Sequence, residues 1–192
     1  MDLAAIDIGG TTIKIATWKD GKLQDKHAVN TPKDLNSFYD ILTAEVNKIK
    51  QNTKIKGVAI SAPGAVNQKT GIIGGTSALP YIHNFKIVDE LKKRFELPVS
   101  IENDANSAAL GELAEGAGKG SDSMAFLLLV QVLVVPSLLI KKSGMVLTYL
   151  VVNSAIWALV QNLLVIWHPQ WQWLTAITKE LVKNLMVKQS SL

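Results

Sequence analysis

The chain has 192 residues and no cysteine, which excludes disulfides, zinc–thiolate centres and thiol catalysis and leaves length for one domain or slightly more. Its net charge of +4 is unevenly held: residues 1–129 carry fifteen Lys+Arg against fifteen Asp+Glu, whereas residues 130–192 carry five Lys against one Glu. This positive charge is sparse and not interleaved with aromatic residues, which argues against a nucleic-acid surface, and no basic-then-apolar leader opens the chain, so the expected compartment is the cytoplasm.

The first legible stretch is Ala4-Ala5-Ile6-Asp7-Ile8-Gly9-Gly10-Thr11. An apolar strand ends in an acid, two glycines and a hydroxyl, and Ile13-Lys14-Ile15-Ala16 then resumes strand-like alternation, the pattern of a β-hairpin. Adjacent glycines let backbone N–H groups approach an anion closely, so the turn is either a phosphate-binding loop or an ordinary hairpin. A third strand is expected from Gly21 to about Asn30. Asp34 is a fair N-cap for an amphipathic helix over residues 35–50, marked by Leu35, Phe38, Ile41, Leu42, Val46 and Ile49. Its Lys and Asn residues read as a solvated face.

Gly57-Val58-Ala59-Ile60-Ser61 is almost wholly apolar, as a buried parallel strand should be. Ala62-Pro63-Gly64-Ala65-Val66-Asn67 follows as a loop at its carboxyl end, where open α/β sheets place ligands, although a plain Pro-Gly turn fits equally. Residues 68–84 predict an irregular lobe edge, with His83 in a structural role. Ile87, Val88, Leu91 and Phe95 mark a second helix that ends at Leu97-Pro98. Val99-Ser100-Ile101 is a further strand, leading directly into Glu102-Asn103-Asp104-Ala105-Asn106 and an Ala/Leu/Glu-rich helix from Ala108 to Ala117. Asp104 stands where it can cap that helix or act as a general base flanked by amides. Ser123 to Leu129 is the last strand of the series, which predicts an α/β fold with a mixed sheet.

Three motifs together, Asp7-Ile8-Gly9-Gly10-Thr11, Ser61 to Asn67 and Glu102 to Asn106, resemble the ROK family of bacterial sugar kinases and sugar-sensing repressors in order and spacing. The resemblance implies an actin-like ATPase (RNase H-like) N-terminal lobe, ATP and Mg²⁺ as cofactors, and a small sugar as substrate. It implies phosphate and nucleotide contacts for Asp7, Gly9, Gly10, Thr11 and Lys14, and sugar contacts for Gly64, Asn67, Asn103 and Asp104. Asp104 would be the catalytic base on the sugar hydroxyl. No dedicated metal-ligand cluster is implied. With no helix-turn-helix ahead of the first strand, the kinase branch is favoured over the repressors.

Residues 130–192 depart from the family pattern. Where the family carries a second phosphate loop, Gly-Thr-Gly-Val-Gly-Gly-Ala-Ile, this chain reads Val130-Gln131-Val132-Leu133-Val134-Val135-Pro136-Ser137. The codons GTA CAG GTG TTG GTG GTG CCA TC, preceded by G, regroup one base out of step to spell the missing loop. The same shift turns residues 144–157 into Trp-His-Gly-Ser-His-Leu-Phe-Gly-Gly-Glu-Phe-Gly-Tyr-Met, and the codon of Met145 forces one of its glycines. It also turns residues 167–174 into Leu-Ala-Ser-Thr-Val-Ala-Met-Val. The expectation is therefore a kinase lobe over 1–129 and an out-of-frame tail over 130–192, with the C-terminal lobe absent or scrambled, no catalysis by the chain as written and no family-type homodimer. The alternative is a non-catalytic sugar-binding or membrane-associated protein. Residues 144–167 are long and apolar enough to span a bilayer, with Tyr149 and the tryptophans as interfacial anchors. Against it, Pro136, Asn153, Gln161 and Asn162 interrupt the apolar runs, and a membrane role is not expected.

Overall fold

A computed structural model describes residues 1–122, 124–129, 134–140 and 145–148. Three strands open the chain, β1 (Leu3–Ile8), β2 (Thr12–Lys19) and β3 (Lys22–Asn30), followed by helix α1 (Leu35–Asn52) and strand β4 (Val58–Ala62). A short pair, β5 (Ala65–Asn67) and β6 (Ile72–Gly74), precedes a 3₁₀ turn at Pro80–Ile82 and helix α2 (Ile87–Phe95). Strand β7 (Val99–Asn103) runs directly into α3 (Asp104–Glu115). The main sheet has the order β3-β2-β1-β4-β7, antiparallel from β1 to β3 and parallel from β1 through β4 to β7. This is the mixed sheet with helices expected of an actin-like lobe.

Alternation along the strands builds the core. Ile6, Ile8, Ile13, Ile15, Val58, Ile60 and Ile101 face one side and pack in one cluster with Phe38, Leu42 and Val46 of α1 and Leu91 and Phe95 of α2. These side chains are nearly or fully removed from water, each stabilising the fold by roughly 1.5–3 kcal/mol relative to exposure. Asp34 caps α1 as expected, its carboxylate accepting from the Ser37 N–H at 2.9 Å. Arg94 of α2 stacks 4.4 Å over the Tyr39 ring of α1, and Lys50 donates to the Phe95 carbonyl at 3.0 Å, so the two helices are tied at their edges as well as through the core.

Four differences from the sequence reading have physical causes. Residues 65–74 are not all loop: β5 and β6 pair with Val66 opposite Ile73, and Ile73 is buried, which pins the pair to the core. On α1 a residue the sequence reading left aside, Glu45, is buried where it meets Lys48 at 2.5 Å and His27 of β3 at 2.8 Å. Asp104 is not the N-cap of α3. That place belongs to Asn103, whose extended backbone ends β7 while its side-chain oxygen accepts from the Asn106 N–H at 3.0 Å. Finally, strand β8 (Met124–Leu129) does not join the main sheet. It pairs antiparallel with β9 (Val134–Ile140), which pairs in turn with β10 (Met145–Thr148).

The expected divide at 129/130 falls between β8 and β9, with Leu129 opposite Val134. The expected tail beyond Thr148, with Trp157, Trp167, Trp171 and Trp173, lies outside the described residues. Among the described residues no helix is long and apolar enough to cross a membrane.

Candidate active site

Parallel strands present their carboxyl ends on one edge of a sheet, and here that edge collects the polar residues. In register, Lys14 lies opposite Asp7, Asp7 opposite Ser61, and Ser61 opposite Glu102. Four strands thus contribute one polar row across the sheet. Within it the Ser61 hydroxyl donates to Asp7 Oδ1 at 3.1 Å and Lys14 Nζ donates to Asp7 Oδ2 at 3.3 Å. Burial pushes the Asp7 pKa up, the Lys14 charge and the two hydrogen bonds pull it down, and the Asp104 charge adds to the rise; the net position is above the ordinary carboxylate range. Asp7 and Asp104 therefore sense each other's charge although they lie on different elements.

The turn after Asp7 is a three-residue connection, Gly9, Gly10 and Thr11, between β1 and β2. Neither glycine adopts a left-handed backbone; close approach is what requires them. A Cβ on Gly10 would stand 2.9 Å from the Ala78 Cβ, and one on Gly9 would stand 2.8 Å from the Thr12 carbonyl oxygen. The Thr31 hydroxyl donates to the Gly9 carbonyl at 2.7 Å and the Thr31 N–H to the Thr11 carbonyl at 3.0 Å, which fixes the turn from behind. Gly10 and Thr11 are exposed, so their backbone and the Thr11 hydroxyl are open to a ligand.

On the opposite side of the edge, Asn103 is the organiser. Its side-chain nitrogen donates to the Gly64 carbonyl at 2.7 Å and to Asp104 Oδ1 at 2.9 Å. Asp104 Oδ1 also accepts the Ala105 N–H at 2.8 Å, leaving Oδ2 outside both bonds. Desolvation raises the Asp104 pKa, and the hydrogen bonds from Ala105 and Asn103 only partly offset it. Solvent still reaches the residue. A carboxylate that solvent reaches, with one oxygen outside these bonds, is able to accept a proton. Gly64 has a left-handed backbone (φ +101°), and a Cβ there would meet Ile73 Cγ2 at 2.8 Å and His83 Cε1 at 3.0 Å; no other residue type fits.

The remaining expected residues divide. Asn67 is exposed at the end of β5, and its side-chain oxygen accepts the Lys69 and Thr70 N–H groups at 3.0 and 3.1 Å, so it shapes the β5–β6 turn. His83 is buried and bonded to Ser77 Oγ at 2.7 Å and to the Gly75 carbonyl at 3.0 Å, the structural role expected of it. Sequence reasoning missed Ser61, Thr31, Gln68 and Glu102. Ser61 and Glu102 stood inside quoted motifs at the ends of strand-like runs, and that position was the available signal. Thr31 and Gln68 carried none.

The family model described as the ROK family matches residues 3–131. A beta-glucoside kinase of Listeria innocua is 39% identical over 131 residues, 67% of this chain and 43% of that protein. Among solved structures, a ROK family glucokinase from Streptomyces griseus in complex with glucose and AMPPNP superposes with a TM-score of 0.64 at 28% identity, covering 74% of this chain and 46% of the other. A ROK family protein from Streptococcus pneumoniae in complex with sucrose gives 0.62 at 37% identity, covering 76% and 47%. The chain spans less than half the length of these relatives.

Proposed function

Because the chain belongs to the ROK family, we propose that residues 1–129 are the sugar- and nucleotide-facing lobe of an ATP-dependent hexose kinase. The observation that carries this reading is the Asn103 side chain, which holds the Gly64 carbonyl and the Asp104 carboxylate in one fixed relation. Asp104 Oδ2 is the atom placed to take the hydroxyl proton as the sugar oxygen attacks phosphorus, which makes Asp104 the general base. Asn103, Gly64 and Asn67 orient the sugar. Gly9, Gly10, Thr11 and Lys14 face the phosphates of ATP, the phosphoryl donor.

The donor chemistry around Asp7 fits Mg²⁺, a hard cation that takes oxygen ligands and keeps several waters. Asp7 is a buried carboxylate whose pKa is raised by burial, a rise only partly offset by Lys14, 3.3 Å away. Asp7 would hold the ion, with Thr11 beside the phosphates; once bound, it neutralises charge on the transferring phosphoryl group.

The chain as written is inactive in this reading, since phosphoryl transfer depends on positioning from both sides and residues 130–137 replace the second phosphate loop of the family. It is a cytoplasmic protein with a small sugar as partner, without nucleic acid or membrane, and it does not form the family homodimer. The test is a coupled assay with ATP, Mg²⁺ and a panel of hexoses. The expected result is no turnover by the 192-residue chain, turnover once the frame after residue 129 is restored, and loss of that turnover in Asp104→Ala. Turnover by the chain as it stands would refute the inactivity, and a restored protein that phosphorylates no hexose would overturn the kinase reading.

A further inference from the structure

Glu102 is buried, yet among the described residues no Lys or Arg pairs with it. Three donors converge on it instead. Oε1 accepts the Asn103 N–H at 2.7 Å and the Asn106 side-chain nitrogen at 3.1 Å, and Oε2 accepts Gln68 Nε2 from the β5–β6 turn. A carboxylate is acceptor-only with room for all three, whereas a neutral amide in the same place would turn its own N–H groups toward at least one donor. The carboxylate also lies at the N-terminus of α3, where the helix dipole favours an anion. This uses up the negative charge of Glu102 without a counter-ion.

The consequence reaches the residues assigned to chemistry. Asn103 is gripped at its backbone N–H by Glu102 and in turn grips Gly64 and Asp104 with its side chain. Gln68 belongs to the turn that follows Asn67, so the same carboxylate ties the β5–β6 pair to the start of α3. We infer that Glu102 is a positioning residue of the hexose site, clasped by Gln68, and that the pair fixes where Asn103 holds Asp104. This rests on the hexose-kinase reading for its functional meaning, while the clasp itself has an independent readout.

The experiment uses the full 192-residue chain and three variants: Glu102→Gln, Gln68→Glu, and the exchange of both. In the exchanged protein the amide oxygen at position 102 still accepts from Asn103 and Asn106, and its nitrogen donates to the carboxylate at position 68. The first readout is the Asn103 backbone amide proton by NMR, which a bond to a carboxylate shifts downfield. It should move upfield in Glu102→Gln, whose acceptor at that point is no longer charged, and the protection of the Asn106 side-chain amide should return in the exchange. The second readout is hexose affinity of the same variants in the frame-restored protein, expected to fall about tenfold or more in Gln68→Glu, where two carboxylates meet in a buried place, and to recover to within about threefold in the exchange.

An Asn103 amide unchanged by Glu102→Gln, or a hexose affinity unchanged by Gln68→Glu, overturns the inference. So does an exchanged variant no better than the singles. If the frame-restored protein binds no hexose of the panel while the NMR signals respond as described, the clasp stands and the hexose reading is what fails.

Discussion

Two carboxylates at the sheet edge are held above their ordinary pKa, Asp7 and Asp104, and each therefore costs the fold something when ionised. A carboxylate raised in the folded state gives stability that declines as pH rises through the folded pKa, because the native protein binds the proton more tightly than the unfolded chain. Asp104→Asn keeps an oxygen for the Asn103 and Ala105 bonds, so it should raise Tm at pH 7. The gain should shrink toward zero by about pH 4, near the unfolded carboxylate value, and thermal melts across pH read this directly. Loss of stability in Asp104→Asn at neutral pH would mean that its hydrogen bonds outweigh its desolvation. His27 and Glu45 make the opposite case. Burial pushes the His27 pKa down, but the Asp25 carbonyl and Glu45 outweigh it and leave it raised. For Glu45, burial pushes up and the Lys48 and His27 bonds pull it below its ordinary value. The raised His27 stabilises below about pH 6.5 and loses that contribution as pH rises through its folded value; the lowered Glu45 stabilises above about pH 4.5 and loses it as pH falls. His27→Gln should accordingly lower Tm more at pH 5.5 than at pH 8.

At the scale of elements, the sheet edge depends on turns that admit one backbone each. Gly64→Ala must place a Cβ against Ile73, the Gly74 carbonyl and His83 in a left-handed conformation, so a destabilisation of about 1–3 kcal/mol is expected from the backbone alone, read by urea unfolding. Asp34→Ala removes the α1 cap and should cost about 1 kcal/mol without touching the site. These elements differ in how visible they were beforehand. The strands β1, β4 and β7 are legible as short, mostly apolar runs and helices α1 and α2 by apolar residues at helical spacing, with Asp34 and Pro98 as punctuation. The β5–β6 pair was missed because only Val66 and Ile73 carry its apolar register, surrounded by Gly, Thr and Asn. The capping of α3 went to Asn103 rather than Asp104 because strand and helix meet without a loop, and two adjacent polar residues satisfy the same sequence rule. The pairing of Glu102 with Gln68 spans thirty-four positions, beyond the reach of any local pattern.

For the molecule as a whole, the sequence changes character where the resemblance stops, near residue 131. Sequencing the gene across codons 129–138 should return the bases that regroup into the glycine-rich loop; any other synonymous set removes the frameshift reading. The apolar, charge-poor residues after 143 also predict poor solubility, so truncation after residue 122 should raise soluble yield, measured by expression of both lengths side by side. The main sheet bears on this through the order in which the chain is made. Its last strand ends at Asn103, and no residue of the buried core described lies beyond Ala109. A ribosome that loses its frame after residue 129 has already synthesised every side chain that the core requires, and domains generally fold as units from the N-terminus during synthesis. Such an error would leave a lobe able to assemble as the chain emerges, and a cell's quality control would meet a folded body rather than an unfolded chain.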